Sequence, residues 1–322
     1  MSREPLSRVL IAYDADITPL VEQFPDIAFV VSGTSKEFDR LVPDVDAALA
    51  GFGLRPEVLD AATRLKWIQT VGAGVERLAT EDFARRGIVL TNGRGVMSSN
   101  MAEHVIGLML TFARQLHVHW ENQRQRTWQS GEARSRLFEL AGQTVILVGT
   151  GMIGKDVARR LKGLDMRVIG VRRGNGGELA PGFDELVSLA ELDTILEQGD
   201  HVVSSVPHTA ETIGMWNAAR FSRFRDGAYF YNVGRGTSVV QPDLIAALES
   251  GKLGGAGLDV AEPEPLPADD PLWDAPNLLV THHSAGGTPK FGPRLMALFA
   301  ENIRRYQAGD DLINRVDVTR GY

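Results

Sequence analysis

Residues 144–154, Thr-Val-Ile-Leu-Val-Gly-Thr-Gly-Met-Ile-Gly, set an apolar β-branched run directly before a glycine-rich turn, in the middle of a 322-residue chain. This order predicts a buried strand, a tight turn and a helix over residues 155–163. In such a turn Gly149 supplies the tight bend, Gly151 lets the backbone approach a pyrophosphate, and Gly154 lets helix pack on strand, with Met152 and Ile153 completing the fingerprint. The helix N-terminus then offers unpaired N–H groups to the anion. Gly-x-Gly-x-x-Gly alone is a weak signal, and the flanking strand and helix supply the context a dinucleotide site needs. Much chain precedes the turn, and helical sequence follows the last strand of its series. The cofactor domain is therefore expected as an insert within another domain.

The chain length suits two domains with two cores. With 34 basic against 41 acidic residues and no long basic stripe, a nucleic-acid partner is not expected. The absence of cysteine excludes a disulfide framework, a thiolate metal site and a cysteine nucleophile. No His-x-x-x-His pattern suggests a metal. The first apolar run, residues 9–13, is too short for a signal peptide, and no apolar stretch approaches membrane-spanning length. A cytoplasmic protein without membrane contact is expected.

Short apolar runs at residues 8–14, 27–32, 47–52, 66–71 and 88–91 alternate with helical patterns. A second series occupies residues 144–148, 166–172, 201–206, 228–233, 256–260 and 278–282. This is the pattern of an α/β protein with two doubly wound parallel sheets, the second of six strands. Asn100-Met101-Ala102-Glu103 has the form of a capping box opening a helix through Val105, Leu108, Met109 and Phe112. Thr288-Pro289 opens another through Met296, Phe299 and Ile303, ending near Gly309. The expected domains are 1–98 with 285–322, and 99–284, with a cleft between them. Residues 115–128, polar and basic with interspersed Trp and His, read as an exposed arm, either a subunit contact or a solvated loop.

About 20 residues after such glycines an acid binds the ribose hydroxyls of NAD, whereas arginine accommodates the 2′-phosphate of NADP. Here the strand ends Val171-Arg172-Arg173-Gly174, leading into a glycine-rich turn over residues 174–177. NADP(H) is the expected preference, with NAD(H) as the alternative.

Three later segments stand at strand ends: Asn232-Val233-Gly234-Arg235-Gly236, Asp259-Val260-Ala261-Glu262-Pro263-Glu264, and Thr281-His282-His283-Ser284. Reducing a ketone by hydride leaves an alkoxide that a histidine can protonate near neutral pH. A carboxylate bonded to the imidazolium favours its charged form and fixes its orientation. Arginine can hold an oxo acid's carboxylate through paired hydrogen bonds.

With the glycine turn, these segments resemble the D-isomer-specific 2-hydroxyacid dehydrogenase family over nearly the whole chain. The resemblance implies a Rossmann cofactor domain inserted into a flavodoxin-like substrate domain, and a homodimer. It makes Arg235 the substrate-binding arginine, Glu264 the carboxylate supporting the histidine, and His283 the acid/base. It places Asp259 near the nicotinamide amide or ribose, counts the strand ends Val206-Pro207 and Val233-Gly234 with the cofactor site, and gives the backbone of Gly72-Ala73-Gly74 to the substrate carboxylate. The sequence departs from the family at His282, where proline is usual, and at His208, where leucine is common; His208 is a candidate cofactor contact. Glu262 competes with Glu264, and His282 with His283. Because successive strand side chains face opposite sides, only one of the two histidines should meet the site. His104, His117, His119 and His201 read as helix, arm or loop residues.

The reading is NADPH-preferring, reversible reduction of small 2-oxo acids to D-2-hydroxy acids. Glyoxylate and hydroxypyruvate reductases lead, on Arg172-Arg173, Pro265-Leu266-Pro267, Pro271-Leu272-Trp273 and the terminal Arg320-Gly321-Tyr322. A broad-range NAD-using dehydrogenase is the alternative. A 3-phosphoglycerate dehydrogenase would be expected to carry an acid at Arg172 or an added regulatory domain, and a formate dehydrogenase glutamine at Glu264. A non-catalytic, cofactor-sensing corepressor is the alternative of another class.

Overall fold

The computed structural model describes residues 4–52, 54–75, 78, 80–128, 131–174 and 178–317. It divides into two compact units, Met1–Val96 with Thr288–Tyr322, and Met97–Gly287.

In the first unit the strands β1 (Arg8–Ala12), β2 (Ala28–Val31), β3 (Ala47–Ala50), β4 (Trp67–Thr70) and β5 (Val89–Thr91) alternate with helices α1 (Thr18–Gln23), α2 (Ser35–Leu41), α3 (Pro56–Ala61) and α4 (Thr80–Arg85). All pairings are parallel, in the order β2-β1-β3-β4-β5, the doubly wound order of flavodoxin-like sheets. Every residue of β3 and β4 is buried, the polar Gln69 and Thr70 included, so neither strand shows the alternation of a half-exposed sheet. The C-terminal helix, Phe291–Ala308, completes this core. Phe299 stacks on Trp67 with ring centroids 4.9 Å apart, and Asn302 Nδ2 donates to Gln69 Oε1 at 2.8 Å. The helix begins two residues after Pro289 and ends where expected, at Gly309 with φ of 80°.

The second unit runs α5 (Ser98–Ala113), α6 (Leu116–Arg124), α7 (Gly131–Ser135), β6 (Thr144–Val148), α8 (Met152–Leu161), β7 (Arg167–Arg172), β8 (Glu185–Ser188), α9 (Leu192–Ile195), β9 (His201–Ser204), α10 (Ala218–Phe221), β10 (Ala228–Asn232), α11 (Gln241–Glu249), β11 (Leu253–Leu258) and β12 (Leu278–Val280). Its parallel sheet has the order β12-β11-β10-β9-β6-β7-β8. The order reverses between β6 and β9, and in sheets of this kind ligands bind beyond the carboxyl ends of the strands at that switch point.

Three expectations are corrected here. The sheet has seven strands among the described residues, because Glu185–Ser188 adds a half-buried edge strand to β7. Part of residues 115–128 is the helix α6, which leaves Leu116 and Trp120 exposed, with Trp128 exposed beyond it. Finally, α5 starts at Ser98 with no side-chain cap, so no capping box forms; Asn100 Nδ2 donates instead to the Ala285 carbonyl at 2.7 Å. Arg320-Gly321-Tyr322 and residues 175–177 lie outside the described residues.

Candidate active site

The glycine turn joins β6 to α8 at the switch point. Gly149 has φ of 108°, a conformation natural only to glycine, and a Cβ there would lie 2.7 Å from Ser205 Oγ. A Cβ on Gly154 would collide with the Gly149 carbonyl oxygen. Gly151 differs: nothing lies within 4 Å of where its Cβ would be, and it forms the N-cap of α8 with no side chain capping the helix. Thus two glycines close the turn on the protein, and the third leaves the helix start open to an approaching group. This cradle fits a pyrophosphate. Ile153 is half-buried against the core, while Met152 is exposed. Nearby, a Cβ on Gly234 would come within 2.6 Å of the Val206 oxygen, so the ends of β9 and β10 meet backbone to backbone. Val206 and Val233 are buried there, and Pro207 is exposed.

At the end of β7, Arg172 is half-buried and Arg173 is exposed, with Arg173 Nη1 3.7 Å from Glu211. Gly174 has φ of 76°.

The candidate reactive residues lie on loops after β10, β11 and β12. Asn232 folds the first loop: its Oδ1 accepts the Gly234 N–H at 3.1 Å and its Nδ2 donates to the Arg235 carbonyl at 2.9 Å. Arg235 is half-buried, and its Nη1 donates to the Gly234 carbonyl at 2.8 Å. A Cβ on Gly236 would collide with the Ala261 backbone, so this loop lies directly on the second. There the Ala261 N–H donates to Glu264 Oε1 at 3.1 Å. The other carboxylate oxygen, Oε2, accepts from His283 Nδ1 at 2.7 Å. With Nδ1 committed to Glu264, Nε2 is the ring atom left to exchange a proton with a substrate. Glu262 and His282 are exposed, as Glu264 and His283 are, and the Glu262 N–H donates to Gln241 Oε1 at 2.7 Å.

His283 has φ of 55°, which is unusual for a non-glycine residue. Its N–H donates to the Asp259 carbonyl at 2.8 Å. Asp259 itself is 1% exposed, and its carboxylate accepts the Thr281 hydroxyl at 2.6 Å and the N–H groups of Ser284 and Ala285 at 2.9 and 3.0 Å. Of the other histidines, His208 Nδ1 contacts Thr237 Oγ1 at 2.8 Å, and His104 Nε2 lies 3.0 Å from Thr281 Oγ1. His104 is a helix residue, as expected, and stands one residue before Val105 on the flank of the apolar face of α5. Trp273 Nε1 donates to the Pro267 carbonyl at 2.7 Å, tying the two proline segments together.

Gly72, Ala73 and Gly74 belong to the first unit, directly after β4. The Gly72 carbonyl accepts the Thr70 hydroxyl and the Gly93 N–H, both at 2.9 Å, and the Ala73 carbonyl accepts from Asn92 Nδ2 at 2.9 Å. These bonds fix the loop through its carbonyls.

The family model for the D-isomer specific 2-hydroxyacid dehydrogenase NAD binding domain matches residues 106–285. The chain is 34% identical over 277 residues to a glyoxylate reductase of Thermofilum pendens, covering 83% of this chain and 80% of that one. It is 33% identical over 292 residues to a D-3-phosphoglycerate dehydrogenase of Archaeoglobus fulgidus, covering 90% of this chain but 55% of that one. A D-isomer specific 2-hydroxyacid dehydrogenase family protein from Aeromonas salmonicida superposes with a TM-score of 0.81 at 35% identity, covering 97% of this chain and 99% of that one. An NADPH-dependent glyoxylate/hydroxypyruvate reductase from Sinorhizobium meliloti, solved with NADP and sulfate, gives 0.81 at 29% identity, covering 98% and 100%. This chain belongs to the D-isomer specific 2-hydroxyacid dehydrogenase family and is an NAD(P)-dependent oxidoreductase.

Proposed function

We propose that the protein reduces small 2-oxo acids, with glyoxylate and hydroxypyruvate foremost, to D-2-hydroxy acids in a reversible reaction that prefers NADPH. The observation carrying this reading is the 2.7 Å bond between His283 and Glu264 on the loops beyond the carboxyl end of the cofactor-type sheet. Bound nicotinamide supplies a hydride to the carbonyl carbon. Arg235 binds the substrate carboxylate by paired charge-assisted bonds, assisted by the backbone N–H groups of Gly72, Ala73 and Gly74. His283 Nε2 donates the proton that the carbonyl oxygen needs. Glu264 holds the ring through Nδ1 so that Nε2 presents that proton.

The glycine turn, with Gly149, Gly151, Met152, Ile153 and Gly154, is assigned to the pyrophosphate, and Val206, Pro207, Val233, Gly234 and Asp259 to the remainder of the cofactor. NADPH preference rests on Arg172 and Arg173. Arg173 lies 3.7 Å from Glu211, so Arg172 is assigned the larger share of the 2′-phosphate contact. The name of the Sinorhizobium meliloti protein, an NADPH-dependent reductase of glyoxylate and hydroxypyruvate, supports the same choice. We also assign a homodimer, in which the apolar side chains of Leu116, Trp120 and Trp128, exposed in the single chain, are covered.

The test is initial-rate oxidation of NADPH and NADH with glyoxylate, hydroxypyruvate, pyruvate, phenylpyruvate and branched 2-oxo acids. NADPH-dependent turnover led by the two smallest hydrophilic acids is expected. Faster rates with NADH, or with the bulky acids, would replace this reading by a broad-range NAD-dependent dehydrogenase.

A further inference from the structure

We infer that His104 is a positioning residue for the reaction proposed above, acting on His283 through the Thr281 hydroxyl and the Asp259 carboxylate. The inference rests on that reading for its catalytic consequence and on the following geometry for the linkage itself.

The segment that carries His283 is wound around Asp259. Four hydrogen bonds join residue 259 to residues 281–285: three to its carboxylate, from Thr281 Oγ1, Ser284 N and Ala285 N, and one to its carbonyl, from His283 N. A histidine at φ of 55° does not hold that conformation by its own preference, and here the fixed acceptors of Asp259 impose it. The position of the Asp259 carboxylate therefore sets the position of His283.

Thr281 has one hydroxyl hydrogen and two acceptors within reach, Asp259 Oδ1 at 2.6 Å and the Leu258 carbonyl at 3.5 Å. The shorter contact takes the hydrogen. His104 Nε2, 3.0 Å from the same oxygen, must then be the donor, because the Thr281 oxygen has no second hydrogen to give. An N–H directed at the oxygen from α5 favours the rotamer that points the hydroxyl at Asp259. His104 Nε2 is also 3.7 Å from Asp259 Oδ1, so a protonated ring would attract the buried carboxylate directly. Without this donor the hydroxyl is free to turn to Leu258, and Asp259 loses one of the three bonds that hold its carboxylate. His104 thus ties the first helix of the cofactor unit to the loop bearing the proposed acid.

The experiment compares His104→Leu with His104→Gln, whose amide can replace the Nε2 donor, and Thr281→Val with Thr281→Ser. Each is measured for kcat, KM, NADPH affinity by fluorescence, and hydrogen exchange of residues 281–285. The Leu and Val variants should lose about 10- to 100-fold in kcat while KM and NADPH affinity stay within about twofold, since small misplacements of a reacting group cost rate more than binding. Exchange in 281–285 should quicken in those two variants alone, and the Gln and Ser variants should recover most of the rate. Unchanged exchange and kcat in folded His104→Leu, or failure of both conservative variants to recover either property, would overturn the inference. Wild-type protein that turns over no 2-oxo acid would instead contradict the proposed reaction, and the exchange data would still decide the linkage.

Discussion

His283 Nδ1 lies 2.7 Å from Glu264 Oε2, and the other oxygen of the same carboxylate accepts the Ala261 N–H at 3.1 Å. Glu264 is held by its own loop before it holds the histidine, so the ring direction is built into the backbone of the β11 loop. Removing the carboxylate removes that direction. Glu264→Ala should lower kcat by about 100-fold while NADPH affinity is retained. A steady-state kcat within twofold of wild type, with the protein folded, would show that the carboxylate does not orient the acid.

Two glycines of the turn, Gly151 and Gly154, should respond differently to one methyl group. Gly154→Ala collides with the Gly149 carbonyl and should cost about 1–3 kcal/mol of stability. Gly151→Ala meets nothing within 4 Å, at φ of −72°, and should leave the unfolding midpoint unchanged. Its methyl projects where the pyrophosphate is assigned, so NADPH affinity should fall by about tenfold. Denaturation curves and cofactor titrations of both variants separate the two effects. A Gly151→Ala protein with unaltered affinity would remove the turn from the cofactor site.

Arg172→Asp replaces a cation at the end of β7 with the acid that suits ribose hydroxyls. The ratio of kcat/KM for NADPH over NADH should fall by about 10- to 100-fold, the worth of a charge-assisted hydrogen bond. An unchanged ratio would pass the 2′-phosphate to Arg173 alone or to neither arginine.

His201 gives a pH prediction unrelated to catalysis. It is fully buried at the start of β9, with Nδ1 3.1 Å from the Tyr231 hydroxyl and Nε2 2.7 Å from Gln143 Oε1. Burial pushes its pKa down from 6.5 to about 3. The folded state keeps the ring neutral while the unfolded chain takes up a proton below pH 6.5. This contribution is therefore complete above that pH and is lost as the pH falls from 6.5 towards 3, with a slope of about 1.4 kcal/mol per pH unit. Urea denaturation between pH 7.5 and 5 should show His201→Phe less stable than wild type at pH 7.5 but with a shallower decline. Parallel declines would mean that His201 is not the titrating group.

The strands most legible in the sequence are those buried on both faces. Residues 145–148 and Ala47–Ala50 read as continuous apolar runs because every one of these residues is buried. Glu185–Ser188 escaped because it is a short edge strand with no fully buried residue, and α6 because none of its residues is buried, leaving no apolar stripe to read. The start of β11 was hidden by Gly254 and Gly255, which weaken a strand signal. They are needed there: a Cβ on Gly255 would come within 3.1 Å of the Phe112 ring of α5. At the site, the glycine turn was readable because its chemistry is local. The segments bearing Glu264 and His283 are legible from their chemistry, but choosing Glu264 over Glu262 and assigning His283 as the acid take the family resemblance, since their bond joins two loops. The His104–Thr281–Asp259 linkage spans α5 to the end of β12, and no local pattern announces it.

The most direct test follows NADPH oxidation with glyoxylate and hydroxypyruvate by wild type, His282→Ala and His283→Ala side by side, with NADPH binding measured for each. The account predicts turnover by wild type and His282→Ala, and none by His283→Ala despite retained NADPH binding. Turnover by His283→Ala, or its loss in His282→Ala alone, would contradict the assignment of the proton donor.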